Sequence, residues 1–195
     1  ININGGSIYQ TTQANVRAII NNVGGTVNMT AGHLKCNYFG IVSTNLNTSA
    51  VNISGGTVEN TTLSSTAIAL NINGGTLNIS GSAQIKGGYY AIQTGSAAHM
   101  TMTGGTISGF GRRGVYVTAG STFEMKGGTI SGDSSITGAS TSGIHCVGLY
   151  AGANQTATFT MTSGTITATK GGSSYNAWGV MHNGGSSTGK TIVNI

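Results

Sequence analysis

The sequence predicts an all-β fold of stacked parallel coils, a parallel β-helix (β-solenoid) of about seven coils with three short strands each. Three observations predict it. A phrase of alternating apolar and polar residues returns at spacings of roughly 23 to 36 residues. A glycine-bearing turn follows almost every copy of that phrase. The same residue types then recur at the same place in each unit, which stacked columns explain and antiparallel hairpins do not.

Composition fits that reading. The chain has 195 residues, of which 34 are Gly, none is Pro and 6% are charged, yet 37% are hydrophobic. Alternating apolar residues at that density argue against disorder. So much Gly, Thr, Asn and Ser also disfavours helix interiors, and no stretch keeps a helical period.

The apolar-polar-apolar triplet that opens each unit starts at Ile1, Val27, Val51, Leu77, Met100, Phe123, Phe159 and Val193. Residues 1–195 therefore read as one solenoid segment, a slice of something longer. The second apolar position of the triplet is Ile3, Met29, Ile53, Ile79, Met102, Met125, Met161 and Ile195. Between the two lies an outward column that begins Asn2, Asn28, Asn52, Asn78, and amides stacked at one-strand spacing can bond to one another as a ladder. A glycine corner comes next, as at Gly55-Gly56, Gly104-Gly105 and Gly127-Gly128. It admits the sharp bend that a Cβ would block.

A second strand follows, with the inward column Ile8, Leu34, Val58, Ile85, Ile107, Ile130 and Ile166. The fourth unit uses a different turn, Ser80 to Gln84, and still supplies Ile85. After a variable stretch, a small residue followed by an aliphatic one marks a third strand. The pairs are Ala18-Ile19, Gly40-Ile41, Ala67-Ile68, Ala91-Ile92, Gly114-Val115, Gly148-Leu149 and Gly179-Val180.

At Phe123-Glu-Met-Lys-Gly-Gly-Thr-Ile-Ser-Gly132, and at Met100-Thr-Met-Thr-Gly-Gly-Thr-Ile-Ser-Gly109 before it, the chain resembles bacterial secreted and surface proteins built from GGTI-type right-handed β-helix repeats. It is more distantly similar to polymorphic outer-membrane proteins and autotransporter passengers, whose GGA-plus-aliphatic motif occupies an equivalent turn. Here Thr replaces that Ala, and the companion Phe-x-x-Asn motif is missing. The resemblance implies right-handed winding, in line with the chirality of parallel crossovers. It also implies a secreted or cell-surface, extracellular protein of adhesive or structural role.

Pectate-lyase-like polysaccharide enzymes share the fold, so catalysis is weighed against the acids. Glycoside hydrolysis needs two carboxylates facing one sugar. The chain has three acids, Glu59, Glu124 and Asp133; Glu124 and Asp133 are expected on different strands, and all three read as solvated surface groups. A calcium-dependent lyase site would need an Asp cluster that is not there. His33, His99, His145 and His182 fall on different units, without metal-ligand spacing, and read as loop or surface residues. Cys36 and Cys146 lie too many coils apart for a disulfide and read as unpaired, buried small hydrophobes. The expectation is a non-enzyme with no cofactor and no metal.

The net charge of +5 comes from scarce acids rather than dense bases, and Arg112-Arg113 is the one basic doublet. Nucleic-acid binding is therefore not expected. No apolar run reaches membrane-spanning length, so no membrane insertion is expected within this segment.

The contact surface that remains is aromatic. Tyr38, Phe39, Tyr89, Tyr90, Tyr116, Tyr150, Tyr175 and Trp178 gather around the third strand beside Arg112 and Arg113, where they suit stacking on a glycan or host-surface ligand. Two long insertions, 134–142 and 170–176, flank that face, and long excursions on one side of a solenoid often mark its binding side. The alternative function is a self-assembling fibre or filament subunit, because open solenoid ends expose unpaired strand edges. Ice binding ranks lower, since Ser7, His33 and Gln84 break the threonine column.

Overall fold

The structure is a computed structural model and describes residues 1–10, 18–44, 48–95, 97–118, 120–136, 143–171, 175–184 and 187–195. These residues form strands and turns and contain no helix. In chain order the strands are β1 (Asn2–Tyr9), β2 (Ile20–Asn22), β3 (Thr26–Cys36), β4 (Phe39–Ser43), β5 (Ala50–Ile53), β6 (Thr57–Asn60), β7 (Ile68–Ile72), β8 (Thr76–Ile79) and β9 (Gln84–Gly87). They continue as β10 (Tyr90–Thr94), β11 (His99–Met102), β12 (Thr106–Ser108), β13 (Arg113–Thr118), β14 (Thr122–Asp133), β15 (Ile144–Ala151), β16 (Thr156–Thr169), β17 (Ala177–Gly184) and β18 (Lys190–Asn194).

Every pairing between them is parallel. An 11-stranded sheet collects the strands on both sides of the glycine corner, and a 7-stranded sheet runs β17-β15-β13-β10-β7-β4-β2. Each strand pairs with its counterpart one repeat away, so equivalent side chains lie in register. The second-strand column pairs in sequence as Ile8, Leu34, Val58, Ile85, Ile107, Ile130 and Ile166. The triplet column pairs as Ile3, Met29, Ile53, Ile79, Met102, Met125 and Met161. Between the ends these columns are buried and merge into one apolar core, within which Phe123 and Phe159 stack with ring centroids 5.1 Å apart. Phe110 is fully buried as well and lies outside the repeating columns.

The corner differs from the expectation of short separate strands. β3, β14 and β16 run through it as strands of 11, 12 and 14 residues. Two register shifts absorb the bend, between Met125 and Lys126 and between Lys126 and Thr129. Units with the same turn keep their backbone groups paired around it, as a bulge allows. Glu124 and Asp133 therefore belong to one continuous strand, β14, rather than to two. At Gly128 φ is +85°, and a Cβ would approach the carbonyl carbon of Gly104 to 2.9 Å, so successive corners nest backbone against backbone.

The third strand corrects three of the expected pairs. Its inward column is Ile20, Ile41, Leu70, Ile92, Val115, Val147 and Val180. Ile19-Ile20, Ala69-Leu70 and Cys146-Val147 thus replace Ala18-Ile19, Ala67-Ile68 and Gly148-Leu149. In the last two cases the pattern repeats after two residues, and a two-residue slip leaves the same faces buried. At Gly114 the small residue before the column is sterically required: a Cβ there would sit 2.6 Å from the Cys146 carbonyl oxygen and 2.8 Å from Phe110.

The asparagine column forms a ladder on the outer surface. Asn28 donates to Asn2 at 3.0 Å, Asn52 to Asn28 at 2.9 Å and Asn78 to Asn52 at 2.8 Å. Thr101 and Glu124 occupy the next positions of that column.

Candidate functional site

The 7-stranded sheet brings together five of the residues that sequence reasoning singled out. Tyr90 at the start of β10 lies in register with Arg113 at the start of β13, and Gln93 with Tyr116. Tyr89 and Arg112 precede the two strands, held by a hydrogen bond from the Arg112 N–H to the Tyr89 carbonyl at 2.9 Å. The doublets Tyr89-Tyr90 and Arg112-Arg113 are thereby stacked one above the other, one repeat apart.

The Arg113 guanidinium lies over the Tyr116 ring, 4.0 Å from its centroid, and 5.5 Å from that of Tyr90. Arg112 lies 5.6 Å from the Tyr89 centroid. Tyr90 sits 5.0 Å from Tyr89 and 5.1 Å from Tyr116, both tilted. The phenol oxygens face the same cations, since Arg112 donates to Tyr89 at 3.3 Å and Arg113 to Tyr90 at 3.3 Å. Gly148 makes room for this arrangement, because a Cβ there would fall 2.6 Å from Arg113 Cδ. The result is a half-buried bed of three phenol rings and two guanidiniums.

The electrostatics follow from burial of like charges. Burial, reinforced by the Arg112 charge, lowers the Arg113 pKa from its ordinary value. Burial raises the Tyr116 pKa, opposed by the Arg113 charge. His145, in register with Arg113 on one side and with Trp178 on the other, is 1% exposed. Burial and then the Arg113 and Arg112 charges push its pKa down to about 4. Neither of its ring nitrogens has a hydrogen-bond partner, and the Nε of both arginines also lacks one. Its ring packs 5.0 Å from that of Trp178.

The expectation of a surface or loop histidine is thus corrected: His145 is a buried strand residue. His33, His99 and His182 lie in strands too, in β3, β11 and β17. The signal for His145 was its place among the apolar residues Ile144, Cys146, Val147 and Leu149, and its position one repeat beyond Arg113.

The other aromatic residues stand apart from the bed. Tyr38 and Phe39 form their own tilted pair, 4.3 Å between centroids. One strand, β7, separates them from Tyr90, because Phe39 and Tyr90 both pair with Ile68. Phe39 borders a groove of about 440 Å³ shared with Asn21, Asn71 and Asn73. Tyr150, in register with Thr118, is 38% exposed, and Trp178 is 37% exposed. Tyr175 precedes β17. Of the flanking insertions, 137–142 and 172–174 lie outside the described residues.

The acids are spoken for elsewhere. Glu59 pairs with His33 at 2.9 Å and Glu124 with Lys126 at 2.9 Å. Asp133 accepts the Ser135 N–H at 2.8 Å, which lowers its pKa. Glu59 also borders a groove of about 380 Å³ with Lys86 and Ser108, on the strands after the corner. Among the described residues no group of three or more His, Cys, Asp and Glu could hold a metal ion, and no helix is long and apolar enough to cross a membrane. Cys36 and Cys146 are both free and buried. Burial pushes their thiols up to about 12 and about 11.

The fold and the bed together define an all-β repeat protein of parallel sheets carrying a cation-and-aromatic surface on one of them. No protein-family model, curated protein or solved structure matches the chain.

Proposed function

We propose that this chain is a segment of a right-handed parallel β-helix of about seven coils, serving as an extracellular structural or adhesive stalk of a bacterial surface or secreted protein. Its third face, the outer side of the 7-stranded sheet, contacts glycans, and the segment is not an enzyme. The observation that carries the binding role is the bed of Tyr89, Tyr90 and Tyr116 around Arg112 and Arg113. Phenol rings with polar edges suit the faces and hydroxyls of sugars. Scattered carboxylates, each engaged by a neighbour, support a binding rather than a hydrolytic surface.

The test is binding of the protein to an array of oligosaccharides, with the Tyr90→Ala, Tyr116→Ala double variant and a Trp178→Ala variant beside it. Loss of sugar binding in the double variant supports this surface. Unchanged binding there rejects it, and loss in Trp178→Ala alone moves the contact to the far side of His145.

A second reading has one specific observation in its favour. Large apolar residues are exposed at both ends of the columns, Ile8 at 45% and Tyr9 at 56% in β1 and Ile195 at 87%. Such edges suit pairing with one more coil, supplied by the same protein or by a second copy stacked into a fibre. Sedimentation over a concentration series separates the readings: a monomer at all concentrations counts against stacking.

A further inference from the structure

We infer that the Arg112–Arg113 pair is the seat for the anionic group, a carboxylate or a sulfate ester, of an acidic glycan whose sugar ring lies on Tyr89, Tyr90 and Tyr116. This rests on the reading of the third face as a glycan surface and adds the charge class of the sugar.

The argument starts from charge accounting. The chain has three Asp and Glu residues in all. Glu124 is ion-paired with Lys126, Glu59 is hydrogen-bonded to His33, and Asp133 caps the Ser135 N–H. None faces the two arginines, whose polar partners are tyrosine hydroxyls. Two adjacent guanidiniums are thus half-buried side by side without an acidic counter-group, an arrangement that repels itself and that an incoming anion relieves. Spare N–H groups remain for it. Each guanidinium has five; tyrosine hydroxyls engage Nη1 of each, and the Nε–H of each is buried, so it is the terminal N–H groups that would meet the anion.

His145 is the second, independent observation. It is almost fully buried next to Arg113, with both ring nitrogens unpartnered. Burial lowers its pKa first, and the neighbouring Arg113 and Arg112 charges lower it further.

The rings decide the kind of anion. A bare ion would need only the guanidiniums, whereas three phenol rings 5.0 to 5.1 Å apart and tilted to one another offer a concave apolar bed for the C–H faces of a sugar ring. A nucleic-acid backbone would instead need a track of bases for successive phosphates. Among the described residues the 7-stranded sheet carries Arg113 as its one Lys or Arg, with Arg112 just before it.

The experiment is isothermal titration of the whole chain with four probes: an oligogalacturonate (carboxylate only), a heparin tetrasaccharide (sulfate and carboxylate), cellotetraose (neutral) and sodium sulfate. At least one acidic oligosaccharide is expected to bind tenfold or more tightly than cellotetraose. Which of the two it is separates carboxylate from sulfate recognition. That preference should shrink as salt rises from about 0.05 to about 0.5 M. It should vanish in the Arg112→Gln, Arg113→Gln variant and survive only in part in Arg113→Lys, which keeps the charge and loses the planar fork. Saturation with the acidic sugar should also raise the His145 titration midpoint, read by NMR, a shift that a purely structural arginine pair would not give.

Equal binding of acidic and neutral sugars overturns this inference and leaves the glycan surface standing. Binding of no sugar overturns both. Sulfate alone binding as tightly as the tetrasaccharide, or a nucleic acid or acidic peptide binding more tightly, overturns the assignment to a glycan.

Discussion

The guanidinium of Arg113 rests over the face of Tyr116, 4.0 Å from the ring centroid, although the two residues belong to the same short strand. The contact is possible because Gly148, the register partner of Tyr116 on the next strand, leaves the space that a side chain would fill. A cation over a partly desolvated phenol contributes about 0.5 to 2 kcal/mol, and a neighbouring ring adds about 0.5 to 1.5 kcal/mol. Tyr116→Ala should lower stability by about 1 to 3 kcal/mol, and Tyr116→Phe by less than about 1 kcal/mol, as read from urea unfolding midpoints. Equal losses in the two variants would put the weight on the hydroxyl instead of the ring.

His145 gives the fold a defined pH dependence. Its folded pKa lies near 4, against an unfolded value of 6.5. Between these values the unfolded chain binds a proton that the folded chain refuses, so stability falls as pH drops through that window. Above about pH 6.5 the penalty is absent. Unfolding midpoints measured at about pH 7.5 and about pH 4.5 should differ, and His145→Phe should narrow the difference. No narrowing would assign the acid sensitivity to other groups.

The amide ladder is testable at its middle rung. Asn52 donates to Asn28 and accepts from Asn78. Asn52→Ala removes both bonds on a half-exposed surface, a cost of about 1 to 2 kcal/mol at roughly 0.5 to 1.5 kcal/mol each. Asn2→Ala removes one bond, at the end of the ladder, and should cost less. A larger loss for Asn2→Ala, read from the same unfolding midpoints, would contradict a cooperative column.

At the corner, Gly128→Ala combines a positive φ with a Cβ 2.9 Å from backbone, and should destabilise by about 2 to 4 kcal/mol. Gly6 is the equivalent residue of the corner at the end of the column, with φ +72°, and a Cβ there would meet nothing within 4 Å. Gly6→Ala should therefore cost less, about 1 kcal/mol for the positive φ alone. Similar losses at the two positions would mean that the nesting of successive corners does not set the requirement.

Both inward columns of the larger sheet were legible because their residue types repeat at each unit and the glycine corner fixes the phase between them. Column positions read from sequence as Leu34, Val58 and Ile85 pair in that order. The third strand was less legible. Its lead-in varies in length and composition, and Ala67-Ile68-Ala69-Leu70 satisfies the pattern in two registers. Pairing with Ile41 and Ile92 selects Leu70.

The site was legible as residue types and not as an arrangement. Tyr89-Tyr90 and Arg112-Arg113 are one repeat apart, which repeat counting alone brings together. Tyr38 and Phe39, equally aromatic, are held off by the intervening strand β7. The burial of His145 was less legible because the units that separate it from Arg113 and Trp178 carry the long insertions 134–142 and 170–176, which blur the repeat count.

The most direct test of the account is an NMR chemical-shift map of the protein titrated with the best-binding oligosaccharide. The account predicts that perturbed amides cluster on Tyr89–Gln93 and Arg112–Tyr116, with the His145 ring shifting alongside them. Perturbations confined to the Glu59–Lys86 groove, or to the exposed strand β1 at the end of the columns, would contradict it.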